Sequence, residues 1–154
     1  LNGPAIGSGL AIALAADFII VTEDATLQSP EVHRGLVPGL TLGLLDFRMG
    51  GSIAARFGLT GAAMTPVEAK QLGLVHEIVA DELVWARAQQ LAGDLAQGSA
   101  QAQQMCKRLL NETIAERLET TLTLGAAMVA ASRTTSHATE GINAYLEKRS
   151  PVWD

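Results

Sequence analysis

A glycine-rich turn and a single carboxylate stand close together near the start of the chain. The turn is Gly3-Pro4-Ala5-Ile6-Gly7-Ser8-Gly9, and Glu31 follows within Ser29-Pro30-Glu31. The first N–H groups of a helix lack acceptors inside the helix and carry the positive end of its dipole, and glycines before them let a ligand approach the backbone. Such a turn can hold an oxyanion, while a carboxylate in an apolar setting can exchange protons near neutral pH. The two together are the minimum set for forming and quenching an enolate.

The elements around these residues must bring the turn and the carboxylate together. The sequence predicts a short apolar helix over Leu10 to Ala16, directly after the turn. Asp17 to Val21 is predicted to be a buried strand, because a short β-branched and aromatic run between polar residues fits a strand better than a helix. Ser29-Pro30-Glu31 then places the carboxylate on a loop, and Gly35-Leu36-Val37-Pro38-Gly39 follows closely. These segments predict a shaped, partly apolar site.

Four motifs in a fixed order carry a resemblance to a known family. They are NGPAIGSGLAIALAAD at 2–17, SPEVHRGLVPG at 29–39, TPVEAKQLGLV at 65–75 and EGINAYLEKR at 140–149. The four in register resemble the enoyl-CoA hydratase/isomerase family, also called the crotonase superfamily, over essentially the whole chain. A dinucleotide-binding turn is the weaker interpretation, because Ile12 stands where its third glycine should be.

The resemblance implies a fold, a substrate class and an assembly. The fold is α/β, a crotonase-like spiral of ββα units, here in part, followed by a helical C-terminal oligomerisation region. The family acts on acyl-CoA thioesters without a metal or redox cofactor, so coenzyme A is expected only as part of the substrate. Its members are usually trimers or pairs of trimers, which implies a homo-trimer or hexamer. It also implies a portion before Leu1 that supplies the second oxyanion N–H and much of the coenzyme A pocket.

The resemblance also assigns roles to individual residues. Glu31 matches the family's acid/base glutamate, and the backbone N–H of Ser8 matches one oxyanion donor. Gly39 matches a glycine whose N–H lies near the reacting atoms in hydratases. Lys148 matches a position that contacts coenzyme A phosphates, although a lysine near a helix C-terminus is equally well explained by the helix dipole. The predicted catalytic residues are Glu31, Ser8 and Gly39, and the predicted substrate-binding residues are Gly7, Gly9, Pro38 and Lys148.

Ala11 departs from the family pattern and bears on the reaction. In hydratases of the family this position holds a second glutamate, which orients and activates the attacking water. An alanine methyl group neither accepts nor donates a proton, whereas moving a double bond needs only one base that removes a proton and returns it elsewhere. The sequence therefore favours an enoyl-CoA isomerase that uses Glu31. The alternatives are an enoyl-CoA hydratase and a non-catalytic family member acting as a scaffold.

Composition argues against several other classes of function, namely nucleic-acid binding, membrane insertion and metal binding. The chain has 154 residues, 48% of them hydrophobic, and a formal net charge of −5, so it has material for a core and no broad basic surface for nucleic acid. The apolar stretch from Leu10 to Val21 is too short to span a bilayer, and no Lys or Arg precedes it, so neither membrane insertion nor a signal peptide is expected. A lone cysteine, Cys106, fits a reducing, cytoplasmic setting. His76 and His137 have no Cys or His nearby at metal-ligand spacing, so no metal site is predicted.

The remaining segments predict mostly helices. In the first half we expect helices over Leu40 to Arg48, over Ser52 to Phe57 with Gly58 and Gly61 as stops, and from a Thr65 cap to Gly73, followed by a strand over Leu74 to Val79. From Asp81 onward the period is helical, with apolar faces at Val84, Ala88, Leu91 and Leu95, then Ala102, Met105, Leu109 and Leu110, then Leu118, Leu122, Gly125, Val129 and Ser132. A capping box is predicted at Thr113 to Glu116, and Ser136 is predicted to cap a last helix that buries Ile142, Tyr145 and Leu146.

The change of period near Val79 to Asp81 predicts two regions. Residues 1–80 would form the spiral part with the active-site turn, and residues 81–154 the helical region. The apolar faces after Asp81 exceed what a small spiral part can cover, and large uncovered apolar patches mark interfaces. The resemblance places trimer contacts in this region.

Overall fold

The computed structural model describes residues 1–112 and 115–153. Within them, the strands are β1 (Ala5–Ile6), β2 (Ile20–Thr22), β3 (Leu27–Gln28), β4 (Ala63–Met64) and β5 (Glu77–Val79). The first four helices are α1 (Ser8–Leu14), α2 (Gly39–Met49), α3 (Gly51–Thr60) and α4 (Pro66–Gln71). The last four are α5 (Val84–Ala96), α6 (Ala100–Glu112), α7 (Ala115–Ser132) and α8 (Ser136–Leu146). Short 3₁₀ helices span Glu31–Arg34 and Asp81–Leu83.

The short strands pair in two groups with helices between them. β1 pairs in parallel with β3, and β3 pairs antiparallel with β4. β2 pairs in parallel with β5, with Val21 opposite Ile78. Parallel pairing requires crossover connections, and here helices provide them. The predicted α/β class with a helical C-terminal region is confirmed.

Two predicted strands are shorter than the sequence suggested. The Ile19 N–H donates to Nδ1 of His76 at 3.0 Å, and the His76 N–H donates back to the Ile19 carbonyl at 2.9 Å. A side chain thus takes the place of a backbone partner, so β2 begins after Ile19 and β5 after His76. Leu74 and Val75 lie outside the strand because both donate to the carbonyl of Ala69 in α4.

Helix α1 is displaced toward the turn relative to the prediction. It starts at Ser8, because the Ala11 N–H closes the first turn on the carbonyl of Gly7 at 3.1 Å. It ends at Leu14, where Nη1 of Arg48 donates to the Leu14 carbonyl at 3.1 Å and also to that of Ala16. Arg48 of α2 therefore satisfies backbone acceptors that the end of α1 leaves free.

The helices from Gly39 to Gln71 follow the prediction closely, with one error. Gly58 does not stop α3, because it serves a close approach to α2: a Cβ built there would lie 2.5 Å from Cδ1 of Leu42. Gly61, with φ +61°, ends α3 as predicted. Thr65 caps α4 as predicted, since its Oγ1 accepts the Glu68 N–H at 3.2 Å.

The apolar core lies between α1, the strands and α2 to α4. Its largest fully buried apolar side chains are Leu14, Val21, Leu27, Leu45, Met64 and Leu74. Phe57 of α3 and Ala69 of α4 belong to the same cluster. Because α1 contributes Leu10 and Leu14 to it, the helix that follows the turn is anchored in the core.

Helix α7 packs along α2 through the face that the sequence predicts. Leu118, Leu122, Gly125, Val129 and Ser132 are all partly buried, while most of their neighbours are exposed. A Cβ built on Gly125 would lie 2.6 Å from the carbonyl oxygen of Gly39, so the two backbones touch. The capping box predicted at Thr113 to Glu116 lies outside the residues that can be described in full.

Helix α8 differs from the prediction at its start and on its buried face. Its cap is Thr135, not Ser136, since Oγ1 of Thr135 accepts the Ala138 N–H at 3.1 Å. It buries its small residues Ala138, Gly141 and Ala144, whereas the predicted core residues Ile142, Tyr145 and Leu146 are 37%, 61% and 70% exposed. The reason is a close approach: a Cβ on Gly141 would overlap the backbone of Arg34, which leaves room only for small side chains.

The outer helices expose much apolar surface. Val84, Ala88 and Leu91 of α5 are partly buried, but Leu95 is 39% exposed and Met105 of α6 is 61% exposed. Among the described helices, none has both the length and the apolar character that crossing a membrane requires. The division near Val79 to Asp81 stays a prediction.

Candidate active site

The glycine-rich turn joins β1 to α1 and is held by its backbone. Gly7 has φ +57° and ψ −120°, a conformation that favours glycine, and its N–H donates to the Gln28 carbonyl at 2.8 Å. Its carbonyl accepts the Oγ1–H of buried Thr41 at 3.3 Å. Ser8 is the first residue of α1, so its N–H has no acceptor within the helix. The turn therefore presents the Ser8 N–H outward at the positive end of the helix.

The Glu31 carboxylate lies directly over this turn. Its Oε1 would be 3.1 Å from a Cβ built on Gly7, so glycine is needed there for space as well as for conformation. Its Oε2 accepts a hydrogen bond from Oγ of Ser29 at 2.7 Å, and Ser29 is only 1% exposed. One carboxylate oxygen is thus fixed by a buried hydroxyl, while the other faces the turn.

The predicted residues Pro38 and Gly39 lie at the same place. Both are buried, and both line a cavity of about 270 Å³ together with Ser8, Glu31 and Thr41. Gly39 begins α2, and a Cβ on it would overlap the carbonyl oxygen of Gly125 in α7. The close packing of α2 on α7 is therefore sufficient to explain why glycine stands at position 39. The rest of the cavity wall consists of Leu36, Val37, Leu40, Val129, Arg133 and Ile142.

An exposed helix N–H, one oriented carboxylate and an apolar cavity beside them suit proton transfer next to a carbonyl group. The sequence model of the Enoyl-CoA hydratase/isomerase family matches residues 1–154, which is the whole chain. The chain belongs to this family.

Known members of the enoyl-CoA hydratase/isomerase family agree with this assignment. The 2,3-dehydroadipyl-CoA hydratase of Escherichia coli strain K12 is 33% identical over 153 residues, which cover 98% of this chain and 60% of that protein. An enoyl-CoA hydratase/isomerase from Pseudoalteromonas atlantica T6c superposes with a TM-score of 0.92 at 28% identity, covering 100% of this chain and 62% of that one. A carnitinyl-CoA hydratase from Mycobacterium avium superposes with a TM-score of 0.88 at 31% identity, covering 99% and 60%. The chain spans about 60% of the length of these relatives.

With alanine at position 11, helix α1 offers no carboxylate that could act beside Glu31. The residue is 6% exposed and belongs to the buried face of the helix. Among the described residues that line the cavity, Glu31 is the one with an acidic side chain.

Three predicted binding residues, Gly7, Gly9 and Lys148, are not among the residues that line the cavity, although Gly7 lies directly beneath Glu31. Gly9 follows Ser8 in α1 but does not line it, and a Cβ built on Gly9 would meet open space. Lys148 is exposed beyond α8 with φ +55°, where its N–H and that of Arg149 donate to the carbonyls of Tyr145 and Ala144. This is a Schellman ending with lysine in the position that usually holds glycine. A helix-ending role accounts for the Lys148 backbone, and its contact with coenzyme A stays a prediction.

The chain after Lys148 folds back onto α8 through a charged cluster. Arg149 donates to both carboxylate oxygens of Glu140 at 2.6 and 2.9 Å, and the Val152 N–H donates to Glu140 Oε1 at 2.9 Å. These bonds, with that to Arg149 the strongest, lower the pKa of Glu140 to about 2. The cluster fixes the chain end and lies outside the cavity lining.

His76 and His137 make contacts that belong to the packing of the fold. His76 pairs with Ile19 as described above, and the His137 ring lies 5.5 Å from the Trp153 ring. Within residues 1–112 and 115–153, no three His, Cys, Asp or Glu side chains lie close enough to hold a metal ion. The expected absence of a metal in the working protein stays a prediction.

Sequence reasoning missed three residues of this site. Ser29 is two positions before Glu31, a spacing that lets a hydroxyl reach the carboxylate, so the motif held a usable signal. Thr41 lies in the first turn of α2, and the packing of α2 on α1 explains why its hydroxyl meets Gly7. Arg133 enters the cavity from the far end of α7, which no local pattern indicates.

Proposed function

We propose that the full-length protein processes an acyl-CoA thioester by moving its double bond. The observation that carries this proposal is the single carboxylate of Glu31, which lies over the Gly7–Ser8 turn, with a buried alanine at position 11. One base beside an oxyanion donor is sufficient for proton shuttling, whereas adding water benefits from a second acid or base. Family membership supports the acyl-CoA substrate class.

In the proposed reaction the thioester oxygen accepts hydrogen bonds from the Ser8 N–H and from a second N–H outside this chain. Glu31 removes a proton from the α-carbon of a 3-enoyl thioester, and the electrons move into a dienolate whose negative charge rests on the thioester oxygen. The helix end stabilises this charge as it develops. The same carboxyl group then returns the proton to the γ-carbon, which gives the 2-enoyl thioester and restores the base.

Ser29 acts as a positioning residue in this proposal. Its hydroxyl holds Oε2 of Glu31 at 2.7 Å and is itself fully buried, so the carboxylate has little freedom to rotate away from the turn. A hydrogen bond to a charged group contributes about 1.5–3 kcal/mol. Oε1, on the side of Gly7, is then the oxygen that carries the proton.

Hydration is the second candidate, because the relative from Escherichia coli that matches 98% of the chain bears the name of a hydratase. In this reaction Glu31 would have to activate water and also protonate the α-carbon, or a group outside this chain would have to assist. The absence of a carboxylate at position 11 predicts that hydration is the slower reaction.

The test compares two substrates on the full-length protein. Migration of the double bond in a 3-enoyl-CoA should exceed hydration of a 2-enoyl-CoA of the same chain length, both followed by chromatography of the thioester products. Hydration that is faster than migration would replace the isomerase proposal with the hydratase. If neither thioester reacted, the proposed enzyme function would fall.

We further propose that the protein assembles as a homo-trimer, or as a hexamer of two trimers. Met105 of α6 is 61% exposed, and Leu124 and Met128 of α7 are 56% and 47% exposed. Exposed apolar side chains clustered on helices mark interaction surfaces. Size-exclusion chromatography with light scattering on the full-length protein should give the mass of three or six chains, and a stable monomer would contradict the proposal.

A further inference from the structure

The cavity beside Glu31 is apolar along its walls and carries one positive charge. Leu36, Val37, Leu40, Val129 and Ile142 supply the walls. The charged side chains that line it are Glu31, next to Ser8, and Arg133. Its volume of about 270 Å³ falls just below the range of about 300–1,000 Å³ that is usual for small-molecule sites. A short acyl chain suits this space, whereas the much larger coenzyme A moiety does not.

Among the arginines of the described residues, Arg133 is the one for whose guanidinium no ion pair, hydrogen bond or aromatic contact is observed. The Arg56, Arg87, Arg117 and Arg149 side chains form ion pairs with carboxylates. Arg48 donates to backbone carbonyls, Arg34 lies over the Tyr145 ring at 4.2 Å, and Arg108 also has a partner. Over residues 1–112 and 115–153, the Arg133 guanidinium has neither an ion pair nor a hydrogen bond.

The backbone that carries Arg133 is fixed relative to the catalytic residues. Its own N–H donates to the Val129 carbonyl at 3.2 Å, at the end of α7. The preceding residue, Ser132, accepts the Val37 N–H on its Oγ at 3.2 Å and donates to Val129 at 2.9 Å. Val37 belongs to the cavity wall, so the end of α7 is attached directly to the loop that leads to Gly39. A basic residue at a helix C-terminus is favoured by the dipole, but the dipole does not account for its place in the cavity lining.

These observations point to the identity of the acyl group, and the inference rests on the proposed function. We propose that the substrate is an acyl-CoA whose short acyl chain ends in a carboxylate, and that Arg133 binds this carboxylate. The thioester end lies at Ser8 and Glu31, the methylene groups contact the apolar walls, and the terminal carboxylate reaches the guanidinium.

The chemistry of arginine explains why a carboxylate is the favoured ligand. The planar guanidinium presents donors in a fork that matches the two oxygens of a carboxylate, and such bidentate pairs are among the stronger hydrogen bonds in proteins. Arg133 is exposed, so beside a chain that ended in a methyl group its guanidinium would have only water as a partner. The carboxylated substrate therefore gains both binding and a fixed register of its reacting carbons at Glu31.

The test uses the full-length protein and two 3-enoyl-CoA thioesters of equal chain length, one ending in a methyl group and the other in a carboxylate. The wild-type protein should prefer the carboxylated thioester in kcat/KM. Arg133→Gln should lower that preference by about 10-fold or more, mainly through KM, as expected for a lost hydrogen bond to a charged group. Arg133→Lys should retain part of it, because lysine keeps the charge without the fork. Arg56→Gln, which removes a surface pair with Glu68, is the matched control and should keep the preference.

Three outcomes separate this inference from the proposed function. An unchanged preference in Arg133→Gln, with activity on both thioesters, would overturn the inference and leave the proposed function intact. An equal rise of KM for both thioesters would also overturn it, because Arg133 would then bind the phosphates of coenzyme A. If neither thioester reacted, calorimetric binding of the same pair would decide: a weaker affinity of Arg133→Gln for the carboxylated thioester alone supports the inference, and equal affinities contradict it.

Discussion

Two regions of the molecule are built by different means. One is the corner formed by Gly7, Ser29 and Glu31, and the other is the crossing of α2 with α7. In the corner, Ser29 and Gly7 fix a carboxylate through a hydroxyl and a positive-φ turn, over a short stretch of sequence. At the crossing, the residues that face each other are Gly39 and Gly125. Because neither has a side chain, the two backbones can touch. The candidate site is therefore shaped by a hydroxyl and a carboxylate, whereas α7 is placed against α2 by the lack of side chains at two glycines.

Helix α8 also makes a close backbone contact through glycines, and this contact lies beside the candidate site. Gly141 of α8 faces Arg34, and Gly35 with φ +65° faces the backbone of His137, so that neither position has room for a Cβ. Through this contact the 3₁₀ helix that carries Glu31 is covered by α8. The 3₁₀ helix that carries Glu31 and the helix α8 that covers it therefore depend on each other for their packing.

The largest effect in the corner should come from Ser8→Pro. Proline lacks an N–H and is well tolerated as the first residue of a helix, which is the position that Ser8 occupies. Loss of an oxyanion donor should reduce kcat on a 3-enoyl-CoA by about 10²–10³-fold while the melting temperature stays near that of the wild type. Ser8→Ala, which keeps the backbone donor, should keep most of the activity. A folded Ser8→Pro protein with normal turnover would refute the role of the Ser8 N–H.

At the crossing the largest effect should be on stability. Gly125→Ala forces a Cβ to within 2.6 Å of the Gly39 carbonyl and should destabilise the protein by about 1–3 kcal/mol in urea unfolding. Gly93→Ala in α5 meets no atom within 4 Å and should instead stabilise it by about 0.5–1 kcal/mol, through helix propensity. Equal behaviour of the two variants would mean that the crossing is not close-packed.

Features that are set by local contacts could be predicted from the sequence, whereas those set by helix packing could not. Gly7, Ser8 and Glu31 could be located because their conformations and contacts are set within one local stretch, and the Thr65 cap of α4 for the same reason. The buried face of α8 was predicted wrongly, since a large-residue pattern suggested Ile142 and Tyr145 while a backbone contact selected Gly141. Arg133 could not be placed at all, because its position depends on the packing of α7 over α2.

A smaller change in activity should follow from Ser29→Ala. The variant removes the hydrogen bond to Oε2 of Glu31 and should lower kcat about 10-fold with little change in KM, because the carboxylate is less well oriented. Ser29→Thr keeps a hydroxyl and should restore most of kcat. A structural role alone would lower stability in both variants without this recovery of kcat.

The smallest effect should be that of Lys148→Gly. Lysine at φ +55° is strained, and glycine adopts this conformation readily, so the variant should be more stable by up to about 1 kcal/mol. If the lysine also contacts coenzyme A phosphates, KM for every acyl-CoA should rise. Thermal unfolding and KM measured on the same variant separate the two roles, and a less stable Lys148→Gly protein would contradict the assignment of strain.

One carboxylate, fixed over the Gly7–Ser8 turn, is proposed to transfer the proton. The most direct test of this role is the rate of double-bond migration in a 3-enoyl-CoA by full-length wild-type and Glu31→Gln proteins. Glutamine has nearly the same shape but accepts no proton at this position, so the rate should fall by at least about 10²-fold while the melting temperature changes little. A Glu31→Gln protein that turns over at the wild-type rate would contradict the account.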